Sequence, residues 1–303
     1  MKDPAFQRQT AFNAVECVSK AAAHAVSENF DSVCEVRIRA EQPILIYLLN
    51  TPYYVKTDGN LIAAGANVST NNICIVSYSE MKDSFARLCS YSVYKHTDDI
   101  GNGFITAAGG HRIGVCGEAV VEKGRVRSAS NITSLNIRIA KEFIGCSESV
   151  FPSADIRTGA LICGAPGTGK TTVLRDLARR LSEYGKRRVA VIDERYEIAG
   201  QRFGRAGFDV GFSDVYSGYP KGAAMIMAVR AMSPEYIICD ELTGENVAEA
   251  SAAFNCGVCV VASVHCADEA QAKKSRTVQS LLDTGAFGNV VFIDKYYHIT
   301  EVQ

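Results

Sequence analysis

Short apolar runs alternate with helix-like patterns through the second half of the chain. The runs that predict strands cover residues 159–164, 188–193, 236–241, 258–265, 290–294 and 297–302. Between them, apolar residues recur at the three- and four-residue spacing of helices, which predicts one helix ending near Tyr184 and others over 223–232, 247–255 and 267–282. This alternation predicts an α/β domain with a mostly parallel sheet and helices on both faces.

The first half of the chain has a mixed α+β pattern. We expect a helix over residues 11–30, strands over 34–39 and 44–49, and a glycine-rich alternating stretch over 101–119. Residues 144–158 then interrupt the periodicity with glycine, serine and proline. The sequence therefore predicts a smaller mixed α+β N-terminal domain over residues 1–148 and an α/β domain over 149–303, which suits a chain of 303 residues.

The composition is that of a folded protein, with 47% hydrophobic and 21% charged residues. Thirty-two Lys and Arg against 33 Asp and Glu give a net charge of -1, so no overall positive field favours nucleic acid or anionic lipid. The N-terminal residues lack the apolar core of an export signal, and no apolar run approaches the roughly 20 residues of a membrane span. We expect a cytoplasmic protein without a direct membrane span, whose membrane role requires partner proteins.

The 11 cysteines are scattered and mostly lie in apolar, strand-like runs, which is typical of buried free thiols in a reducing compartment. Cys256 and Cys259 have the Cys-x-x-Cys spacing, and Cys266 lies nearby. A second ligand pair at the spacing of a zinc site is missing, so we do not favour metal or redox chemistry there.

A glycine-rich segment follows the predicted strand that ends at Gly164. It reads Gly164-Ala165-Pro166-Gly167-Thr168-Gly169-Lys170-Thr171, fits the G-x-x-x-x-G-K-[ST] pattern and opens a predicted helix. Glycines let backbone N–H groups surround phosphate oxygens, and the helix N-terminus adds a positive dipole. We expect this loop and Thr172 to bind nucleotide phosphates, rather than to form a simple glycine-rich turn.

The polar residues of this loop have distinct expected roles. Lys170 is expected to neutralise the β- and γ-phosphates, and Thr171 to ligate Mg²⁺. Thr172 is expected to lie toward the α-phosphate or to cap the helix.

The strand over residues 236–241 ends in two carboxylates, Asp240 and Glu241. P-loop enzymes place their second motif at such a strand end. We expect Asp240 to hold Mg²⁺ through water and Glu241 to polarise the attacking water. By itself, a strand ending in Asp-Glu is commonplace, and the phosphate loop makes the functional interpretation the favoured one.

Two further groups of polar residues are predicted at the same edge of the sheet. The segment Asp193-Glu194-Arg195-Tyr196-Glu197 follows a strand, and Glu194 either positions water or Mg²⁺ or belongs to an exposed charged turn. His265 ends the strand over 258–265, where many such ATPases carry a γ-phosphate sensor, although a lone histidine is more often structural.

Several other short segments are distributed along most of the chain. In the first half they are Glu35-Val36-Arg37-Ile38-Arg39, Gly103-Phe104-Ile105-Thr106, Gly109-Gly110-His111-Arg112-Ile113-Gly114 and Ser134-Leu135-Asn136-Ile137-Arg138-Ile139-Ala140. In the second half they are the phosphate loop, Asp193-Glu194-Arg195, Glu197-Ile198-Ala199-Gly200, Arg230-Ala231-Met232-Ser233-Pro234 and Asp240-Glu241. Together they resemble the stage III sporulation protein AA family, which is related to the ring ATPases of type II and type IV secretion and pilus systems.

This resemblance implies an N-terminal domain followed by a RecA-like P-loop NTPase core that uses ATP and Mg²⁺. It also implies a homo-oligomer in the form of a hexameric ring, located at the inner face of the membrane through membrane proteins of the sporulation channel. The chain departs from the family pattern at Leu242-Thr243-Gly244, where the family has Ile-Gly, and over residues 208–219.

In ring ATPases of this kind, an arginine of a neighbouring subunit stabilises charge on the γ-phosphate. The first candidates in this chain are Arg112 and Arg230, and the others are Arg37, Arg39, Arg138, Arg202 and Arg205. For each of them the alternative is a surface salt bridge.

Four functions are compatible with a phosphate loop in this setting. The leading one is an ATP-hydrolysing oligomeric motor that drives assembly or secretion. A nucleotide-gated scaffold with little turnover and a nucleic-acid-binding ATPase are the alternatives, and the near-neutral charge argues against nucleic acid as a partner. A small-molecule kinase is a fourth possibility, but no acceptor pocket or lid signature is apparent in the sequence.

Overall fold

The structure, a computed structural model, describes residues 4–65, 72–101, 103–152, 156–201, 207–294 and 299–302. It divides into one unit that comprises residues 2–141 and a second that comprises Glu142–Gln303. This division comes earlier in the chain than the boundary predicted between residues 148 and 149. Among the described helices, none has both the length and the apolar character of a membrane span.

The first unit is built on a seven-stranded antiparallel sheet in the order β4-β3-β2-β1-β7-β6-β5. Its helices are α1 (Pro4–Glu16), α2 (Lys20–Glu28), α3 (Tyr78–Leu88) and α4 (Thr97–Gly101). Its strands are β1 (Val33–Arg39), β2 (Leu45–Leu48), β3 (Thr51–Val55), β4 (Leu61–Ala63), β5 (Phe104–Thr106), β6 (Arg112–Glu122) and β7 (Arg125–Arg138). Alternating apolar residues of the central strands bury one sheet face in a single core with the helices.

The single helix predicted over residues 11–30 is two helices in the structure. Ser19 precedes α2, and its side chain accepts a hydrogen bond from the backbone N–H of Ala22. A serine in this position starts a new helix because it satisfies an otherwise unpaired N–H group.

His111 is buried in the turn that leads into β6, within the Gly109-Gly110-His111-Arg112 segment. Its Nδ1 accepts a hydrogen bond from the backbone N–H of Ala140, so Nε2 carries the proton and donates to Thr10 Oγ1 at 3.0 Å. Burial lowers the pKa of His111 to about 4, which keeps the ring neutral. Through these two hydrogen bonds, His111 connects α1 and the residues after β7 to the turn.

The second unit is built on a seven-stranded sheet in the order β10-β9-β11-β12-β8-β13-β14. Its strands are β8 (Ala160–Gly164), β9 (Val189–Asp193), β10 (Asp214–Ser217), β11 (Tyr236–Glu241), β12 (Cys259–His265), β13 (Asn289–Ile293) and β14 (Ile299–Val302). Its helices are α5 (Cys146–Val150), α6 (Lys170–Glu183), α7 (Lys221–Met232), α8 (Val247–Asn255), α9 (Glu269–Lys274) and α10 (Arg276–Leu282).

All neighbouring strands of this sheet are parallel except β13 and β14. Buried side chains form one core on each face of the sheet, which confirms the predicted α/β class with helices on both faces. The helix predicted over 267–282 is wrong in one respect, because Ser275 caps α10 by accepting from the N–H of Val278 and so divides the segment into α9 and α10.

Candidate functional site

The phosphate-loop residues connect the end of β8 to the first residue of α6. Gly167 and Gly169 have φ angles of +79° and +91°, in the left-handed region that favours glycine. At Gly164, a Cβ atom would lie 2.5 Å from Thr168 Oγ1, so a side chain there would displace the loop. The backbone conformation therefore explains glycine at positions 167 and 169, and the close contact explains it at position 164. A Cβ atom on Gly167 would have no atom within 4 Å, so only its φ angle favours glycine there.

Lys170 begins α6 and is buried. Its ammonium donates to the backbone oxygens of Gly164 at 2.7 Å and Ala165 at 2.9 Å. Burial lowers the pKa of Lys170, and the negative charge of Glu241 opposes that change. The lysine is therefore held at the loop itself, at the carboxyl edge of the sheet.

His265 connects Lys170 to Glu241. In the sheet register His265 lies beside Gly164, because β12 is the strand between β8 and β11. Its Nδ1 is 3.1 Å from Lys170 Nζ, and its Nε2 is 3.3 Å from Glu241 Oε2. An ammonium can only donate, so Nδ1 accepts and the ring carries its proton on Nε2. The structure thus brings together three predicted site residues through one imidazole.

Glu241 also has a cationic neighbour that the sequence did not indicate. Arg195 Nη1 lies 3.4 Å from Glu241 Oε2, and both side chains are accessible to solvent. Arg195 belongs to the segment after β9, whose carboxyl end is at the same edge of the sheet as the end of β11. Glu241 therefore lies between a histidine and an arginine.

Asp240 is almost completely buried and has Lys221 as its partner. The ammonium of Lys221 lies 2.6 Å from Asp240 Oδ1, and it also donates to the backbone oxygen of Glu241. Burial raises the pKa of Asp240, and the adjacent Lys221 opposes this rise. A cation thus lies against the carboxylate that is predicted to hold Mg²⁺.

Sequence reasoning missed Lys221. The residue is the first of α7 and directly follows Pro220, a combination that marks the start of a helix. The sequence predicted that this helix begins two residues later, at residue 223. It also did not predict β10, the strand that leads to the start of α7 at the carboxyl edge of the sheet. Pro220 was the signal that could have found it.

The two carboxylates that end β9 and follow it have different environments. Asp193 is fully buried and accepts hydrogen bonds from the backbone N–H groups of residues 197, 198, 199 and 200 at 2.7 to 3.0 Å. It therefore shapes the following loop and is not part of an exposed turn. Glu194 is partly exposed, with Oε2 3.9 Å from Lys221 Nζ, so it lies beside the Asp240 pair.

Thr171 and Thr172 lie half-buried in the first turn of α6, directly after Lys170. The backbone oxygen of Thr172 accepts a hydrogen bond from Cys146 Sγ at 3.7 Å. Pro166 and Gly167 are exposed, so the loop is accessible from solvent.

Of the two leading arginine candidates, Arg112 belongs to the first unit and Arg230 to the second. Arg112 is exposed on β6 of the first unit, with its guanidinium carbon 3.7 Å from the centre of the Phe104 ring, and Arg138 is opposite it on β7. Arg230 is exposed near the end of α7, about 13 Å along the helix axis from Lys221. Arg202 and Arg205 lie outside the described residues.

Among the described residues, no group of three or more His, Cys, Asp or Glu side chains is arranged to hold a metal ion by itself. The cysteines are free thiols, and Cys259 Sγ donates to the backbone oxygen of Arg157 at 2.9 Å. A Mg²⁺ ion bound with nucleotide would rely in part on phosphate oxygens for its ligands.

Comparison with known sequences identifies the family. The sequence model of the family "Sporulation stage III, protein AA" matches residues 8–303. The chain is 33% identical over 278 residues to "Stage III sporulation protein AA" of Bacillus subtilis (strain 168), covering 89% of this chain and 83% of that protein. It is 30% identical over 159 residues to "Uncharacterized protein ycf45" of Cyanidium caldarium, covering 50% of this chain and 46% of that protein. The chain belongs to the sporulation stage III protein AA family.

Comparison with solved structures identifies the fold. The chain is similar to the ATPase DotB of Legionella pneumophila, with a TM-score of 0.54 and 16% identity over 90% of this chain and 74% of that one. The DotB ATPase of Yersinia pseudotuberculosis gives the same TM-score with 15% identity over the same shares. The predicted RecA-like fold is thereby confirmed.

Proposed function

We propose that this member of the sporulation stage III protein AA family binds Mg-ATP at the carboxyl edge of its parallel sheet and hydrolyses it. The observation that carries the proposal is the connection from Lys170 through His265 to Glu241, directly beside a phosphate-binding loop. A site that only bound nucleotide would not need a carboxylate placed this way. The fold shared with the DotB ATPases supports the same conclusion.

The loop residues Gly164, Ala165, Pro166, Gly167, Thr168 and Gly169 shape the backbone that receives the phosphates. The ammonium of Lys170 exchanges the backbone oxygens of Gly164 and Ala165 for phosphate oxygens. A phosphate is the better partner, because it is charged and the lysine is otherwise desolvated.

The proposed place of the Mg²⁺ ion is the end of β11. Asp240 is a buried carboxylate that already has a cation against it, and Thr171 supplies a hydroxyl in the first turn of α6. These two residues would hold the ion, which neutralises phosphate charge when bound. Lys221 fixes the orientation of Asp240, and Glu194 contributes further negative charge beside Lys221.

Glu241 is the group that activates water. Its Oε2 lies within reach of His265 Nε2–H, so a change at Lys170 is transmitted to Glu241 through one imidazole. This connection gives His265 the role of a sensor of phosphate at the loop.

Substitution of Glu241 tests this function. We expect Glu241→Gln to bind ATP as the unmodified protein does and to release phosphate about a hundredfold more slowly, because the amide cannot accept a proton. Glu245→Gln is the matched control, since Glu245 is an exposed acidic residue close by in the chain. Normal phosphate release by Glu241→Gln would overturn the assignment of Glu241.

We further propose that the active form is a homo-oligomer, a hexameric ring, that powers assembly or transport at the channel between mother cell and forespore. Membrane proteins of that channel would hold the ring at the inner face of the membrane. Membership of the family supports this setting.

Light scattering with and without Mg-ATP, together with phosphate release over a wide range of protein concentration, tests the ring. We expect a nucleotide-favoured oligomer whose specific activity rises with concentration. If each site is formed by two neighbouring subunits, the Arg112→Ala and Lys170→Ala proteins should each be inactive alone. A mixture of the two proteins should then recover activity. A monomer at all concentrations with full activity would contradict the ring.

A further inference from the structure

Lys221 and Asp240 form a buried ion pair at the end of β11. Lys221 is 6% exposed and Asp240 is 4% exposed, and the ammonium lies 2.6 Å from Asp240 Oδ1. Two buried charges of opposite sign compensate each other's loss of water only while they remain paired. Because a cation already lies against this carboxylate, a second cation meets both an occupied contact and a repulsive charge.

The ammonium of Lys221 also has partners other than Asp240. It donates to the backbone oxygen of Glu241, and it lies 3.9 Å from Oε2 of Glu194. The side chain of Glu194 is 40% exposed, so it is free to move closer to the ammonium. Lys221 therefore has a second carboxylate at hand if its contact with Asp240 is lost.

The backbone at the start of α7 is closely packed. A Cβ atom on Gly222 would lie 2.9 Å from the carboxyl carbon of Glu249, and Ala224 and Met225 of the same helix are fully buried. The helix start is thus held in place, and a change of partner by Lys221 needs only rotation within its own side chain.

We infer that Lys221 competes with Mg²⁺ for Asp240, so that the nucleotide-free protein binds the ion poorly and the ion enters together with nucleotide. The phosphates bring negative charge to this edge of the sheet, which offsets the repulsion between Lys221 and a divalent cation. Lys221 then leaves Asp240 and pairs with Glu194. This inference rests on the proposed function and adds the order in which the site is filled.

Titration of the nucleotide-free protein with Mn²⁺, followed by electron paramagnetic resonance of the free ion, tests the inference. Mn²⁺ prefers the same oxygen ligands as Mg²⁺. We expect Lys221→Met to bind Mn²⁺ at least about tenfold more tightly than the unmodified protein, because Asp240 is then an unpaired carboxylate. Addition of Asp240→Asn to this variant should remove the gain. Lys274→Met is the matched control, since Lys274 is an exposed lysine of the same unit.

Substitution of Glu194 provides a second test that does not depend on the stability of Lys221→Met. The amide of Glu194→Gln has no charge to receive the ammonium, so we expect the ADP-bound variant to bind Mg²⁺ about tenfold more weakly in a calorimetric titration. In the Lys221→Met background the same substitution should have no further effect, because there is no ammonium to receive. Glu245→Gln is the control for loss of an acidic side chain nearby in the chain.

The failures of the two proposals are distinguishable. Equal Mn²⁺ affinity of the unmodified protein and Lys221→Met, or a gain that persists after Asp240→Asn, would overturn the role of Lys221 while the nucleotide site stands. If Lys221→Met does not fold, normal Mg²⁺ binding by ADP-bound Glu194→Gln would overturn it. If the unmodified protein binds no nucleotide with or without Mg²⁺, the proposed function fails, whereas the Mn²⁺ titration still decides whether Lys221 keeps cations from Asp240.

Discussion

Two histidines, one in each unit, show how differently the two regions use the same side chain. His111 is fully buried and exchanges hydrogen bonds with a backbone N–H and a threonine hydroxyl. The side chain of His265 is 45% exposed and lies between the charged groups of Lys170 and Glu241. The first connects parts of a fold, whereas the second connects parts of a candidate active site.

The comparison separates the two kinds of motif in this chain. The Gly109-Gly110-His111-Arg112 segment, one of those that carry the resemblance to the family, has a structural explanation at its histidine. The G-x-x-x-x-G-K-[ST] pattern is widespread among proteins, yet its lysine lies in the candidate active site. A segment that contributes to a family resemblance therefore need not contain reacting groups.

Loss of Lys170 should have the largest effect, and that effect should be on ATP binding. We expect Lys170→Ala to weaken ATP binding by about a thousandfold, or about 4 kcal/mol, because the phosphates lose their charged partner. Equilibrium binding of ATP measures this, with Lys274→Ala as the exposed-lysine control. Unchanged affinity would refute the phosphate-loop assignment.

Loss of Lys221 should affect stability in the same region. We expect Lys221→Met to lower the free energy of unfolding by about 3 to 4 kcal/mol, because Asp240 is left buried without its ion-pair partner. Urea unfolding measures the change. The double variant Lys221→Met with Asp240→Asn should recover part of the loss, since it contains no unpaired charge. A double variant less stable than Lys221→Met would contradict the pairing.

Acid should destabilise the fold through His111. The unfolded chain binds a proton at this residue near its ordinary pKa of 6.5, whereas the folded chain does so only at about 4. Stability contributed by the neutral ring is thus complete above pH 6.5 and falls by about 3 kcal/mol as the pH drops to 4.

Urea unfolding at pH 7.5 and pH 4.5 measures this dependence. His111→Asn should be less stable at pH 7.5 and lose less between the two pH values. Its ADP affinity should stay unchanged. Equal acid sensitivity in both proteins would remove His111 as the cause.

Loss of His265 should have the smallest effect. We expect His265→Asn to slow phosphate release by about tenfold, or about 1.4 kcal/mol, because Lys170 and Glu241 lose their connection. Its thermal unfolding should change little, since the side chain is half exposed. A loss of stability as large as that of His111→Asn would show that His265, like His111, mainly stabilises the fold.

Several features of the fold could be predicted because they depend on residues near one another in the chain. The β8–loop–α6 unit and α8 have the expected positions. The edge strand β10 was missed because it is short and half exposed, so it has no apolar run. The breaks at Ser19 and Ser275 were missed because apolar periodicity continues across both serines, while capping depends on local hydrogen bonds.

The glycine-rich loop between β8 and α6 could be predicted from the sequence, because glycine positions, the adjacent strand and the start of a helix are local properties. The position of β12 between β8 and β11, which places His265 between Lys170 and Glu241, became known only from the folded chain. The same holds for the pairing of Lys221 with Asp240 and for the hydrogen bonds between Asp193 and the loop after β9. Strand order and burial bring together residues that are far apart in the chain, and the environment of each charged group depends on those neighbours.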